Sequence, residues 1–241
     1  LMASLIINTG CNSRCNYCWI WKDAVKNAPI ADLQLAVDEL AELGIRQVNI
    51  AGGEPFLHPD LPTLVRRIRT KNIFCVLVTN GTLLRSSRLH AVLDSKPDVL
   101  CVSLDTLDPQ TYQAIRGVPL AGVLEGLSKA LEQRRRFPQM SVQVTTVLSK
   151  ANIDQIVPLV EFCRDMGIPF GLQPLHPTYA GDGEPGHVLR LATDADVRFL
   201  HHRRRRLAGS DSEALSPGQD ALQRLGLFRQ VPQQHVCVVG G

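Results

Sequence analysis

Six short runs of strand character alternate with longer segments of helical period, and this alternation restricts the chain to a parallel α/β architecture. The strand runs are Ser4–Asn8, Gln47–Ala51, Phe74–Thr79, Val99–Leu104, Ser141–Leu148 and Phe170–Gln173. Helical periodicity fills 31–44, 59–70, 83–95, 120–136 and 152–167 between them. In the last of these, Ile153, Ile156, Val157, Val160 and Phe162–Cys163 fall on one side, with Asn152 placed to cap the helix and Gly167 to stop it. Strands joined by helices pair in parallel through right-handed crossovers. Runs such as FCVLV and VLCV suit strands covered on both faces. An open sheet and a closed barrel fit the alternation equally well, and both gather functional groups at the carboxyl ends of the strands.

The chain divides at about residue 174, giving a core over 1–173 and a C-terminal segment over 174–241. Pro174, Pro177, Gly181, Gly183, Pro185 and Gly186 make an irregular connection, followed by helical patterns at 194–207, behind Thr193, and at 217–226. A net charge of +3 is too mild to imply nucleic acid. The local exception, Arg203-Arg204-Arg205-Arg206 after His201 and His202, reads as a solvated helix face or as a contact for an anionic group. No apolar run approaches the roughly 20 residues that span a bilayer. The first residues enter a strand with no secretory pattern, so a cytoplasmic protein with no membrane contact is expected. Leu1 in the first position implies that the natural start is missing.

The cysteine usage is uneven. Cys75, Cys101 and Cys163 sit in apolar segments and read as buried small hydrophobes, whereas Cys11, Cys15 and Cys18 lie together in TGCNSRCNYCWIW directly after the first strand. Three readings compete for this C-x3-C-x2-C set. Inert thiols so close together would be exposed to oxidation. Structural zinc normally takes four protein ligands, which His58 or a distant cysteine would have to complete. A [4Fe–4S] cluster takes one ligand per iron, so three thiolates leave one iron open to another molecule.

CNSRCNYC resembles the CxxxCxxC signature of the radical S-adenosylmethionine superfamily, including the aromatic Tyr17 before the third cysteine. The likeness continues through Gly52-Gly53-Glu54-Pro55 after the second strand, Thr79-Asn80-Gly81 after the third, Ser103-Leu104-Asp105 at the end of the fourth and Ile115-Arg116-Gly117 beyond it. It covers about residues 3–175 and implies a partial (β/α)6 barrel related to the TIM barrel. It also implies a [4Fe–4S] cluster on Cys11, Cys15 and Cys18, with S-adenosylmethionine chelating the open iron.

Further roles follow from the resemblance, each beside a plainer structural reading. The ligand's amino group would sit at Gly52–Pro55, the glycines allowing close backbone approach and Glu54 supplying a carboxylate, where a tight turn is the alternative. Ser103 would lie near the ribose or methionine end, or simply end a strand, while Asp105 reads as a turn residue. Arg116 would pair with the ligand's carboxylate or lie on a helix surface. Tyr17 would meet the adenine or pack within its loop, and Thr79 and Asn80 would contact ligand or form a turn. Trp19 and Trp21 read as shields for the cluster, and His58, His176 and His187 as structural or exposed.

The implied reaction is reductive cleavage of S-adenosylmethionine to a 5′-deoxyadenosyl radical that abstracts hydrogen from a substrate. A reduced flavodoxin or ferredoxin would supply the electron. The substrate would be a peptide or a small biosynthetic intermediate, and the arginine run favours an anionic one. HVCVVGG at the end reads either as the opening of an auxiliary-cluster extension at Cys237 or as a cysteine in a short strand. A zinc-binding structural protein and a non-catalytic relative that binds S-adenosylmethionine are the competing functions.

Overall fold

The computed structural model describes residues 1–175 and 236–239. Seven parallel strands form one sheet: β1 (Met2–Ile6), β2 (Gln47–Ala51), β3 (Phe74–Thr79), β4 (Val99–Ser103), β5 (Ser141–Leu148), β6 (Phe170–Pro174) and β7 (Val236–Val239). The helices are α1 (Ile30–Glu42), α2 (Leu61–Thr70), α3 (Arg88–Leu93), α4 (Pro109–Arg116), α5 (Leu120–Glu132) and α6 (Ile156–Asp165).

The strand order is β6-β5-β4-β3-β2-β1-β7. From β1 to β6 each strand lies beside its predecessor and the direction never reverses. Right-handed crossovers that always advance the same way place every helix on one face of the sheet. A doubly wound sheet would need a reversal and helices on both faces, so the sequential order selects a curled half-barrel.

Burial agrees with this arrangement. Leu5, Val48, Ile50, Leu77, Leu100, Val102, Val142 and Val144 share one core with Val37, Leu64, Val123 and Leu159 of the helices. The other side of the strands forms a concave face. One row of partners crosses it as Ser4, Asn49, Val76, Val99 and Ser141. Val76, Val99 and Cys101 make a small separate apolar cluster there with Val78. Strands with two apolar faces are expected from these runs; the helices cover one face, and the second belongs to the barrel interior.

The connections have local causes. Asn72 and Gly167 adopt left-handed conformations (φ 56° and 61°) after α2 and α6. Ile73 N then donates to Ile68 O and Ile168 N to Cys163 O, closing each helix with a Schellman bond before the chain enters β3 or β6. Helix α4 lies outside the five expected helices. Asp108 begins it by accepting from Thr111 N at 2.7 Å, Pro109 occupies its first turn and Gly117 ends it at φ 68°. Strand β1 ends two residues before the expected Asn8: Ile7 N makes the last bond to β2, donating to Ala51 O, and Asn8 turns into an isolated antiparallel bridge with Asn27. The helix expected over 83–95 is confined to Arg88–Leu93.

Cys237 lies in the short strand β7, opposite Ser4 of β1. The helical patterns at 194–207 and 217–226, the arginine run at 203–206, His176 and His187 lie outside the described residues.

Candidate functional site at the mouth of the half-barrel

The loop after β1 carries the three cysteines, and two other segments pin it. On one side the Gly-Gly-Glu-Pro stretch crosses its first residues: Gly53 N donates to Asn8 O at 2.8 Å, Glu54 N to Gly10 O at 2.7 Å, and Asn8 Nδ2 to Glu54 O at 2.9 Å. A Cβ on Gly53 would lie 2.0 Å from Gly10 O, and one on Gly52 would lie 2.6 Å from Asn8 O. The chain itself thus uses the close approach that these glycines allow, packing their backbone against Asn8 and Gly10.

On the other side the loop meets the end of α4. A helix leaves its last carbonyls without intrahelical partners. Here Arg14 N donates to Arg116 O at 3.0 Å, Asn16 N to Ile115 O at 2.9 Å and Asn16 Nδ2 to Ala114 O at 3.2 Å. Gly117 keeps this seam closed, because a Cβ there would lie 3.0 Å from Arg14.

Glu54 departs from its expected role. It is fully buried, and its carboxylate accepts from Thr79 Oγ1 at 2.7 Å, Asn80 N at 2.7 Å and Phe56 N at 3.1 Å. Burial pushes the acid up to about 7, against the pull of those three donors. Its carboxylate ties the end of β2 to the end of β3. Thr79 is equally occupied, since its hydroxyl also accepts from Gly81 N at 3.1 Å. Pro55 follows the extended Glu54 (φ −120°, ψ 111°) and opens a short turn.

Arg116 is not on a helix surface. Only 6% exposed, it binds Asp105 with two parallel bonds, Nε to Oδ2 at 2.5 Å and NH2 to Oδ1 at 2.9 Å. Asp105, read from the sequence as a turn residue, is fully buried and also accepts from Val147 N at 2.9 Å and Tyr17 Oη at 3.3 Å. The Arg116 guanidinium lies 5.3 Å from the Tyr17 ring centroid, so Tyr17 packs within this network. Asn152 does not cap its helix with its side chain. It donates to Asp105 O at 3.0 Å and Val147 O at 2.9 Å, fixing the aspartate's backbone from the turn after β5. Ser103 remains at the mouth, on the concave face opposite Thr145.

Two of the three cysteine sulfurs have N–H donors. Ser13 N and Asn80 Nδ2 lie 3.4 and 3.8 Å from Cys11 Sγ, and Arg116 NH1 lies 3.8 Å from Cys15 Sγ. Asn80 is held in turn by Asn12 Oδ1 at 2.8 Å and by Thr82, whose N and Oγ1 donate to Asn80 Oδ1. Burial pushes the Cys11 thiol up to about 11 and raises Cys18 as well. N–H donors aimed at the sulfurs of Cys11 and Cys15 suit thiolates bonded to a metal better than free thiols.

This donor set fits a [4Fe–4S] cluster and disfavours zinc. Among the described residues, no three His, Cys, Asp or Glu side chains are disposed around a single ion. A cubane needs no such convergence, because each thiolate holds a different iron. His58 cannot complete a zinc site. Asp60 N donates to its Nδ1 at 3.1 Å, which leaves the proton on Nε2, and that nitrogen donates to Ala28 O at 3.0 Å. Trp19 is 47% exposed and shields little, while Trp21 Nε1 donates to Cys15 O at 3.1 Å.

The family model of the radical SAM superfamily matches residues 5–163. The chain belongs to that superfamily. Its cofactors are accordingly a [4Fe–4S] cluster and S-adenosylmethionine, and it is an enzyme by descent. It is 32% identical over 182 residues to the GTP 3′,8-cyclase of Chlorobaculum tepidum, spanning 72% of this chain and 53% of that one. It is 30% identical over 169 residues to GTP 3′,8-cyclase 1 of Mycobacterium tuberculosis, spanning 64% and 45%. The chain thus matches about half the length of these curated relatives. In fold it resembles Streptococcus suis SuiB bound to S-adenosylmethionine (TM-score 0.69, 23% identity, 84% of this chain and 46% of that one). It also resembles anSMEcpe with bound AdoMet and the Cp18Cys peptide (TM-score 0.59, 20% identity, 78% and 55%).

Sequence reasoning missed Asp105 as the hub of a buried network, together with Asn8, Asn12, Thr82 and Asn152. The available signal was an aspartate at a strand end with an arginine 11 residues later.

Proposed function

We propose that this chain carries out radical chemistry with Cys11, Cys15 and Cys18 as the cluster ligands. The supporting observation is the set of three thiols on one loop, with N–H groups aimed at the sulfurs of Cys11 and Cys15. When bound, the cluster and S-adenosylmethionine supply one-electron cleavage of a carbon–sulfur bond, giving methionine and a 5′-deoxyadenosyl radical that abstracts hydrogen from the substrate. The protein's own part is to hold the loop from two sides, through Gly52–Glu54 and through the end of α4. Asn80 and Arg116 orient two of the thiolates, and Ser103 and the backbone around Gly52–Pro55 remain as ligand contacts at the mouth.

The concave face bears on the substrate. Its described strand residues include Ser4, Gln47, Asn49, Ser141, Gln143 and Thr145 around the valine cluster, and none of these is charged. This lining fits a neutral hydrogen-bonding group such as a peptide amide or a ring of a small biosynthetic intermediate. The phosphates of a nucleotide would need cations from elsewhere in the chain, for which Arg203–Arg206 is the candidate. Arg14, Lys22 and Lys26 are exposed on the cysteine loop, which suits an acidic electron donor such as reduced flavodoxin or ferredoxin. A reducing cytoplasm suits three reactive thiols.

The test is anaerobic reconstitution with iron and sulfide, then dithionite and S-adenosylmethionine, with 5′-deoxyadenosine measured by mass spectrometry. The expected result is a brown protein that forms 5′-deoxyadenosine and a Cys15→Ala variant that forms none. A colourless protein holding zinc would overturn the reading.

A further inference from the structure

We infer that Arg116 and Asp105 act as an opposed pair of positioning residues that set the reduction potential of the cluster held by Cys15. This rests on the cysteine assignment proposed above.

The guanidinium is divided between two partners. Its Nε and NH2 face the Asp105 carboxylate, and its remaining NH1 faces Cys15 Sγ at 3.8 Å. Neither partner can easily turn away. Asp105 is anchored from three further directions by Val147 N, Tyr17 Oη and Asn152 Nδ2. The backbone carbonyl of Arg116 is tied to Arg14 N, one residue before Cys15. The cation is therefore fixed between a carboxylate and a ligand sulfur.

A buried ion pair is weak evidence of stabilisation, since desolvation offsets most of its attraction. A pair that only joined α4 to β4 would also leave unexplained why the third arm of the fork points at a thiol. Hydrogen bonds to ligand sulfurs and local net charge are levers on iron–sulfur potentials. An N–H⁺ donor on Cys15 Sγ favours the reduced, more negative cluster and raises the potential. Asp105 opposes it by partly cancelling that charge. The two residues therefore act with opposite signs.

The experiment is an EPR-monitored redox titration of the reconstituted full chain and three variants. Arg116→Gln should move the midpoint to more negative potential, leaving about tenfold less reduced cluster at a fixed poise, equivalent to about 59 mV for one electron. Asp105→Asn should move it to more positive potential. Arg116→Lys, which keeps the charge, should stay closer to wild type than Arg116→Gln. Unchanged midpoints, or shifts of the same sign in Arg116→Gln and Asp105→Asn, would overturn the inference. So would failure of all three variants to retain a cluster under the reconstitution that loads the wild type, which would make the pair a scaffold only. A wild-type chain without a [4Fe–4S] signal would instead overturn the cysteine assignment, separating that failure from this one.

Discussion

Glu54 shows how much of a motif residue's role can be internal to the fold. Its carboxyl is neutral to higher pH in the folded chain than in the unfolded one, where it titrates near the ordinary 4.5 rather than at about 7. Below 4.5 both states are protonated and the group does not favour either. Between 4.5 and 7 the unfolded chain ionises first, so the folded state loses stability as pH rises, by up to about 3 kcal/mol across the window. Urea denaturation of the cluster-free chain from pH 4.5 to 7 should show this decline, and Glu54→Gln should flatten it. An equally steep decline in the variant would assign it to other groups. At this scale the sequence was legible in position but not in partner. The motif residues were recognisable, whereas Glu54 with Asn80, or Arg116 with Cys15, meet across separations of 26 and 101 residues that no local pattern carries.

Helix α4 makes the same point one level up. Its start is written locally, in Asp108-Pro109, and its stop in Gly117, yet its eight residues carry too little periodicity to stand out beside the longer helices. What it contributes is a set of unpaired terminal carbonyls, which the amides of the cysteine loop fill. Weakening its first turn should therefore be felt at the far end. Asp108→Ala removes the acceptor for Thr111 N and should lower the melting temperature by roughly 2–4 °C. It should also speed hydrogen exchange at Arg14 and Asn16, measured by mass spectrometry. Faster exchange confined to the first turn of α4 would show that the helix end and the loop are not coupled. The strands were more legible, with Gln47–Ala51, Phe74–Thr79 and Ser141–Leu148 falling where alternation and β-branched content placed them.

For the whole molecule, the βα alternation implied parallel strands, but strand order is a tertiary property. Only the sequential order separates a half-barrel from a doubly wound sheet built from the same elements. That order ends at β1, whose outer edge is covered by β7 through the pairs Ala3–Val236 to Ile6–Val239. An uncovered parallel edge is a template for association. Val238→Pro should break this ladder, raise hydrogen exchange in β1 and increase light scattering on storage. Unchanged exchange in β1 would show that β7 does not protect it. The long-range pins of the cysteine loop also have a consequence in time. Arg116 follows Cys15 by 101 residues. At translation rates of about 5–20 residues per second, the thiols emerge roughly 5–20 seconds before their partner has been made. During that interval the nascent chain has ligands but no cradle, so oxygen and stray metal ions have first access to them and iron–sulfur delivery has to follow synthesis.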